Sequence, residues 1–196
     1  MHDLVNESVF ASLRPIGSGN GVVAVERVGL AIATVLLRRG KLGELSDTVK
    51  NNFNIALPVG PKWTANNGIA FLGTGPGKWL AISETHDVAF VRNLETQLQG
   101  QASVVEQSGG LGVLRLTGPA LLDTLEKGVQ IDLAPEVFPA GSVAVTSIAH
   151  IGATLWNVDD GPTIDIAVAR SLAGSFQHWL EVSAAVHGLS VQRTSD

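Results

Sequence analysis

Few residues in this chain have the type and spacing to do chemistry. Its five histidines, His2, His86, His150, His178 and His187, are the nitrogen donors open to a metal, and no cysteine joins them. A zinc site without thiolates needs histidines and carboxylates gathered from distant segments. His178 and His187 are nine residues apart, which at about 100° per residue puts them on opposite faces of a helix. His150 stands before Ile151-Gly152 at a strand end with no ligand beside it, and reads as a hydrogen-bonded structural residue. Asp159-Asp160-Gly161-Pro162 pairs two carboxylates, in a context that suits a turn held by Asx hydrogen bonds. The loop Gly73-Thr-Gly-Pro-Gly-Lys78 invites an anion-binding reading. A phosphate-binding loop of the P-loop kind requires glycine where Leu72 stands and Ser or Thr where Trp79 stands, so a hairpin turn is expected instead. Gly17-Ser-Gly-Asn-Gly21 fails as a dinucleotide loop, because the third glycine would fall at Val22. No serine sits in a Gly-x-Ser-x-Gly frame, and without cysteine there is neither thiolate chemistry nor a disulfide.

The elements that would position these groups follow from hydrophobic spacing. Residues 1–21 form an arm with Val9, Phe10 and Leu13, too short for a core of its own, which either packs on its own domain or reaches a partner. A strand from Arg27 to Arg38 sets Val28, Leu30 and Ile32 on one face, and Leu42, Leu45, Val49 and Phe53 repeat at helical spacing. Leu57–Trp63 is a loop stiffened by two prolines and anchored by Trp63. Ile69–Leu72 and Trp79–Ser83 make a hairpin; Val88, Val91, Leu94 and Leu98 make a second helix; Ala102–Val105 closes the half. The same order then repeats. Strand 112–116 leads through Thr117-Gly118-Pro119 into helix 119–127, with Gly128 as its stop. After the loop Ala134–Gly141 come strands near 143–149, 153–158 and 163–168, the last alternating as a half-buried strand. Ser171 caps a helix to about His187, Gly188 stops it, Leu189–Gln192 returns as an edge strand, and 193–196 is a frayed tail. The pattern βαββαβ, read twice, predicts an α+β fold: two ferredoxin-like split βαβ halves, about 22–105 and 110–192, packed into a single domain over 22–192.

Several of these stretches carry a resemblance. Leu114-Arg-Leu-Thr-Gly-Pro-Ala120, Ile131-Asp132-Leu133, Gly141-Ser142, His150-Ile151-Gly152, Leu155-Trp156, Asp160-Gly161-Pro162-Thr163 and Gly73-Thr-Gly-Pro-Gly-Lys-Trp-Leu-Ala81 resemble, in order and spacing, the gamma subunit of heterotetrameric sarcosine oxidase. The likeness spans roughly residues 20–190. That subunit belongs to the glycine-cleavage T-protein-like, folate-binding superfamily, whose fold the resemblance also implies. It implies an accessory, structural, cofactor-free chain, with FAD, FMN, NAD, tetrahydrofolate and zinc on the other subunits. The enzyme resembled oxidatively demethylates sarcosine to glycine, with tetrahydrofolate taking up the one-carbon unit and oxygen giving hydrogen peroxide. The implied partners are the alpha subunit and, through it, beta and delta. Folate domains of this superfamily set a carboxylate against the pterin. No motif here matches that acid, and with no tyrosine the stacking residues are Trp63, Trp79, Trp156, Trp179 and six phenylalanines. A stand-alone tetrahydrofolate-binding or aminomethyl-transferring module, and the matching subunit of an N-methyl amino acid dehydrogenase, remain alternatives.

Composition bears on partners. Charged residues make up 16% of the chain and hydrophobic ones 45%, against about 25% charged in ordinary soluble domains. Either a partner covers part of the surface or the core is unusually efficient. A net charge of −5 argues against nucleic acid. No apolar run approaches transmembrane length, and the acidic start lacks the basic region of a signal peptide, so a cytoplasmic, non-membrane protein is expected. Val9, Phe10 and Leu13 on the arm, with Trp63 and Pro139 on the two stiff loops, are the candidate contacts for a larger subunit, the arm ordering as it binds.

Overall fold

The structure, a computed structural model, describes residues 8–84 and 89–192. The first strands and helix are β1 Val22–Glu26, β2 Ala31–Leu37 and α1 Leu42–Phe53, followed by β3 Trp63–Asn66, β4 Ile69–Gly75 and β5 Lys78–Ser83. Next come α2 Phe90–Gln97, β6 Ala102–Glu106, β7 Leu111–Thr117 and the short α3 Leu121–Leu125. The chain ends with β8 Val143–Ile148, β9 Ile151–Asn157, β10 Ile164–Ala169, a 3-10 turn at Arg170–Leu172, α4 Ala173–Ala184 and β11 Leu189–Gln192. These elements fall into two compact units: Gly29–Gly109 with Gly141–Val143, and residues 8–28 with Gly110–Ala140 and 144–192.

In the unit built on Gly29–Gly109, five antiparallel strands lie in the order β3-β4-β5-β2-β6. Alternation puts Ala31, Ala33 and Val35 of β2 on the face that meets Leu45 and Val49 of α1 and Leu94 of α2. α1 is legible at both ends: Leu45 and Val49 are buried, Leu42 stays half exposed, and Asn54 turns left-handed at φ 53° with its N–H on the Lys50 carbonyl. Trp79 also ties down the stiff loop, its Nε1 donating to the Pro58 carbonyl at 2.9 Å. Trp63 opens β3, and its N–H bonds the Gly141 carbonyl at 2.9 Å.

The other unit has six strands in the order β11-β1-β7-β10-β9-β8, with β1 parallel to β11 and antiparallel to β7. Leaving out β1, the order β11-β7-β10-β9 repeats the β6-β2-β5-β4 order of the other sheet, which is the split βαβ arrangement in each. Leu114, Leu116, Ile164 and Ile166 face Leu121, Leu125, Phe176 and Leu180 of α3 and α4. Three sequence expectations change here. Val22–Glu26, counted with the first half, pairs in the sheet of the second. The Arg27–Arg38 strand begins only at Ala31, and Val28 is 38% exposed. Helix 119–127 shrinks to Leu121–Leu125.

The helix expected from a Ser171 cap to about His187 runs only from Ala173 to Ala184 with no side-chain cap, and Gly188 closes the turn that follows it, for two reasons at once. Its φ is +82°, and a Cβ there would lie 2.3 Å from the Gly19 carbonyl oxygen. Gly188→Ala should therefore cost about 1–3 kcal/mol from the left-handed backbone, before the clash is counted. Thermal denaturation of the purified variant checks this, and an unchanged midpoint would show that the turn has room to relax. Among the described residues, no helix is long and apolar enough to cross a membrane.

Candidate functional site

Two features stand out chemically, and both lie in the unit that holds β1. The first is a buried carboxylate. β10 runs between β7 and β9, and five of its six residues are buried, so the half-buried alternation expected there is absent. Asp165, 1% exposed, lies in register opposite Arg115 of β7. The Arg115 guanidinium forks onto it, Nε to Oδ1 at 2.7 Å and Nη2 to Oδ2 at 2.8 Å. Arg27, just past β1, adds Nη1 to Oδ2 at 2.8 Å, and its own N–H donates to the Val113 carbonyl. The two arginine side chains keep 17% and 32% of their surface in water. Both carboxylate oxygens are thus held by charge-assisted bonds, and the ion cluster ties β1, β7 and β10 together. Such a group braces a sheet. The sequence reading missed it, although an aspartate between Ile164 and Ile166 and an arginine between Leu114 and Leu116 were the available signal.

The second feature is the arm. Glu26 accepts from the Ser8 hydroxyl and, at 2.7 Å, from the Val9 N–H. Ser12 Oγ donates to Gln177, the Arg14 N–H to Glu181, and Ile16 exchanges two backbone bonds with Leu189 at 2.9 and 2.8 Å. Phe10 meets the Phe176 ring edge-on at 6.4 Å between centroids. Gly112 makes room for this, since a Cβ there would lie 2.6 Å from Val9 Cγ1. Phe10 and Leu13 are 3% and 2% exposed. These two candidate contacts for a partner therefore belong to the chain's own core, because an arm with two large apolar side chains finds its nearest apolar surface on its own sheet. Val9 is partly buried against the same core.

Beside the arm is a cleft of about 130 Å³ lined by Ser8, Phe10, Glu26, Val28 and Val191 among others. Ligand pockets usually span about 300–1,000 Å³, and the Glu26 oxygens are taken by Ser8 and Val9. Asp165 is engaged by arginines, and Trp79 and Trp156 are buried core residues. These residues do not fit a pterin.

The remaining candidates separate cleanly. Pro139 is exposed and Trp63 half-buried. Within the unit built on Gly29–Gly109, Lys62 beside Trp63 bridges to Ser142, and the Val143 N–H bonds the Pro61 carbonyl at 2.9 Å. Asp159 and Asp160 are exposed in the β9–β10 turn, closed by the Val158 N–H on Thr163. The glycine-rich loop is the β4–β5 hairpin, with an irregularity between Gly73 and Gly75. His150 is exposed at φ 70°, next to Ala149 at 48°, in the two-residue β8–β9 connection; its part is a backbone one, not the side-chain hydrogen bond expected. His178 is exposed on α4, while His2 and His86 fall outside the described residues. Among the described residues, no three His, Asp or Glu gather as metal ligands.

Residues 43–186 match the family described as sarcosine oxidase, gamma subunit. The chain belongs to the sarcosine oxidase gamma subunit family. It is thereby a subunit of an oxidoreductase complex. Sarcosine oxidase subunit gamma from Arthrobacter sp. is 28% identical over 146 residues, 74% of this chain and 71% of that one. The corresponding subunit gamma from Corynebacterium sp. (strain U-96) is 28% identical over 142 residues, 72% and 68% of the two chains. Among solved structures, a chain of the heterotetrameric sarcosine oxidase from Corynebacterium sp. U-96, in complex with pyrrole 2-carboxylate, superposes with a TM-score of 0.80 at 24% identity, covering 92% of this chain and 95% of that one. The glycine cleavage system aminomethyltransferase T from Bartonella henselae gives a TM-score of 0.60 at 10% identity, over 88% of this chain and 47% of that protein. At such identities these two likenesses speak to the fold: the α+β architecture of the gamma subunit family is shared with a T-protein.

Proposed function

We propose that this chain is the non-catalytic gamma subunit of a heterotetrameric sarcosine oxidase, bracing its alpha subunit. The complex oxidatively demethylates sarcosine to glycine, with tetrahydrofolate as the one-carbon acceptor. FAD, FMN, NAD, tetrahydrofolate and zinc sit on the other subunits, and beta and delta join through alpha. Family membership over residues 43–186 carries the reading. It is supported by the structural part that two acidic groups play: Asp165 holds two arginines, and Glu26 holds the arm. Trp63 and Pro139 stay as candidate contacts for the alpha subunit, on loops whose prolines limit the entropy lost on docking.

Co-expression with the other three subunits and size-exclusion chromatography tests this. The chain should elute with them as one species that oxidises sarcosine. The purified chain alone, titrated with tetrahydrofolate, should show no saturable binding up to millimolar ligand. A lone monomer that ignores the alpha subunit, or one that binds tetrahydrofolate in the micromolar range, would replace this reading with that of a free-standing folate module.

A further inference from the structure

Each of the two sheets ends in two edges, and the chain treats three of the four alike. The outer edge of β11 is tied to Ile16, that of β3 to Gly141 and Ser142, and that of β8 to Val129 through its bridge to Ile148. β6 has no such cover among the described residues. Its ladder with β2 is bracketed by Arg38 N–H to Gln101 O at 2.9 Å and Gln107 N–H to Ile32 O at 2.8 Å. Antiparallel bonding alternates, so Ser103 and Val105 point their backbone groups at β2, while Val104 and Glu106 point theirs away from the sheet. Val105 is 45% exposed, and Leu36, on the same face of β2, is 40% exposed. An uncovered edge with apolar side chains along it is a template for strand pairing, and proteins usually blunt such edges. β6 carries neither proline nor lysine.

We infer that β6 is a docking edge for an extended strand of another subunit of the complex, which joins this sheet beside Val104 and Glu106. The inference rests on the reading of the chain as a subunit. Its own charges state the occupant's chemistry. Exposed Arg38 and Arg39 stand at one end of the edge and exposed Glu106 at the other. The incoming strand is apolar beside Val105, with an acidic side chain toward the arginines and a basic one toward Glu106. Backbone bonds supply the attachment, and these side chains supply register and direction.

Hydrogen exchange of the free chain and of the assembled complex reads this directly. The Val104 and Glu106 amides should exchange quickly in the free chain and at least 100-fold more slowly in the complex. Val104→Pro removes an N–H that the chain's own sheet does not use, a position where an edge strand tolerates proline. It should weaken assembly at least tenfold while the free chain keeps its thermal midpoint. If proline disturbs folding, Val105→Lys, which leaves the ladder with β2 intact, must give the same loss. A complex that forms with both amides still fast overturns the inference and leaves the subunit reading standing. Protection that appears in the free chain as its concentration rises overturns it in favour of pairing between two copies. A chain that joins no complex overturns both readings.

Discussion

Asp165→Ala should melt about 6–12 °C below the parent chain. Breaking a buried ion pair by removing one partner costs about 3–5 kcal/mol, because the charge left behind has lost its counter-ion. Here Arg27 and Arg115 keep some contact with water, which places the loss near the lower figure of about 3 kcal/mol; for a chain of this size each kcal/mol moves the midpoint by roughly 2–4 °C. The damage is to β1, β7 and β10 together, since the three bonds to Asp165 reinforce the ladders that join them. Arg115→Lys makes the finer test. It keeps the charge and loses the fork, so its midpoint should fall between those of the parent and Asp165→Ala. A midpoint for Asp165→Ala within a degree or two of the parent would mean that the cluster contributes nothing net to the fold.

Phe10→Ala and Leu13→Ala should each destabilise the chain by amounts typical of core truncation, about 3–5 and 2–5 kcal/mol. Both side chains are almost wholly enclosed, and Phe10 would leave a void against Phe176. The two share one cluster, so the double variant should lose less than the sum. Urea unfolding midpoints of the four chains measure this. A double variant that unfolds like the parent but no longer joins the alpha subunit would restore the arm as a tether to a partner, the expectation raised by its apolar residues in sequence.

That reversal shows where local pattern stops being informative. α1 was legible because Leu42, Leu45, Val49 and Phe53 satisfy one helical face within a dozen residues, and the β4–β5 hairpin because its turn glycines lie between two apolar runs. The split βαβ order in each sheet followed from such local units taken in sequence. β1 was missed because its partners are not local: Val22 pairs with Leu189, and Ala24 with Leu116. Asp165 was misread for a related reason. Period-two alternation marks a polar residue as outward-facing, yet cannot tell water from a guanidinium supplied by a neighbouring strand. The arm's apolar residues announced that they would be buried, and nothing in their spacing said against what. The edge at β6 has no mark in the sequence at all, since it consists of backbone groups.

The place of β1 between β7 and β11 also sets a timetable for the chain as it is made. All five strands of the β3-β4-β5-β2-β6 sheet lie between Ala31 and Glu106, so their contacts are short in sequence and close soon after that stretch leaves the ribosome. β1 is synthesised before any of them and must wait, because its parallel neighbour β11 is translated after them all. Until then Phe10, Leu13, Val22 and Ala24, all enclosed in the finished chain, have no completed sheet to cover them. The stretch from Phe10 to Ala24 is therefore left without its full cover while the β3-β4-β5-β2-β6 sheet forms, and is sheltered only when β11 pairs with β1.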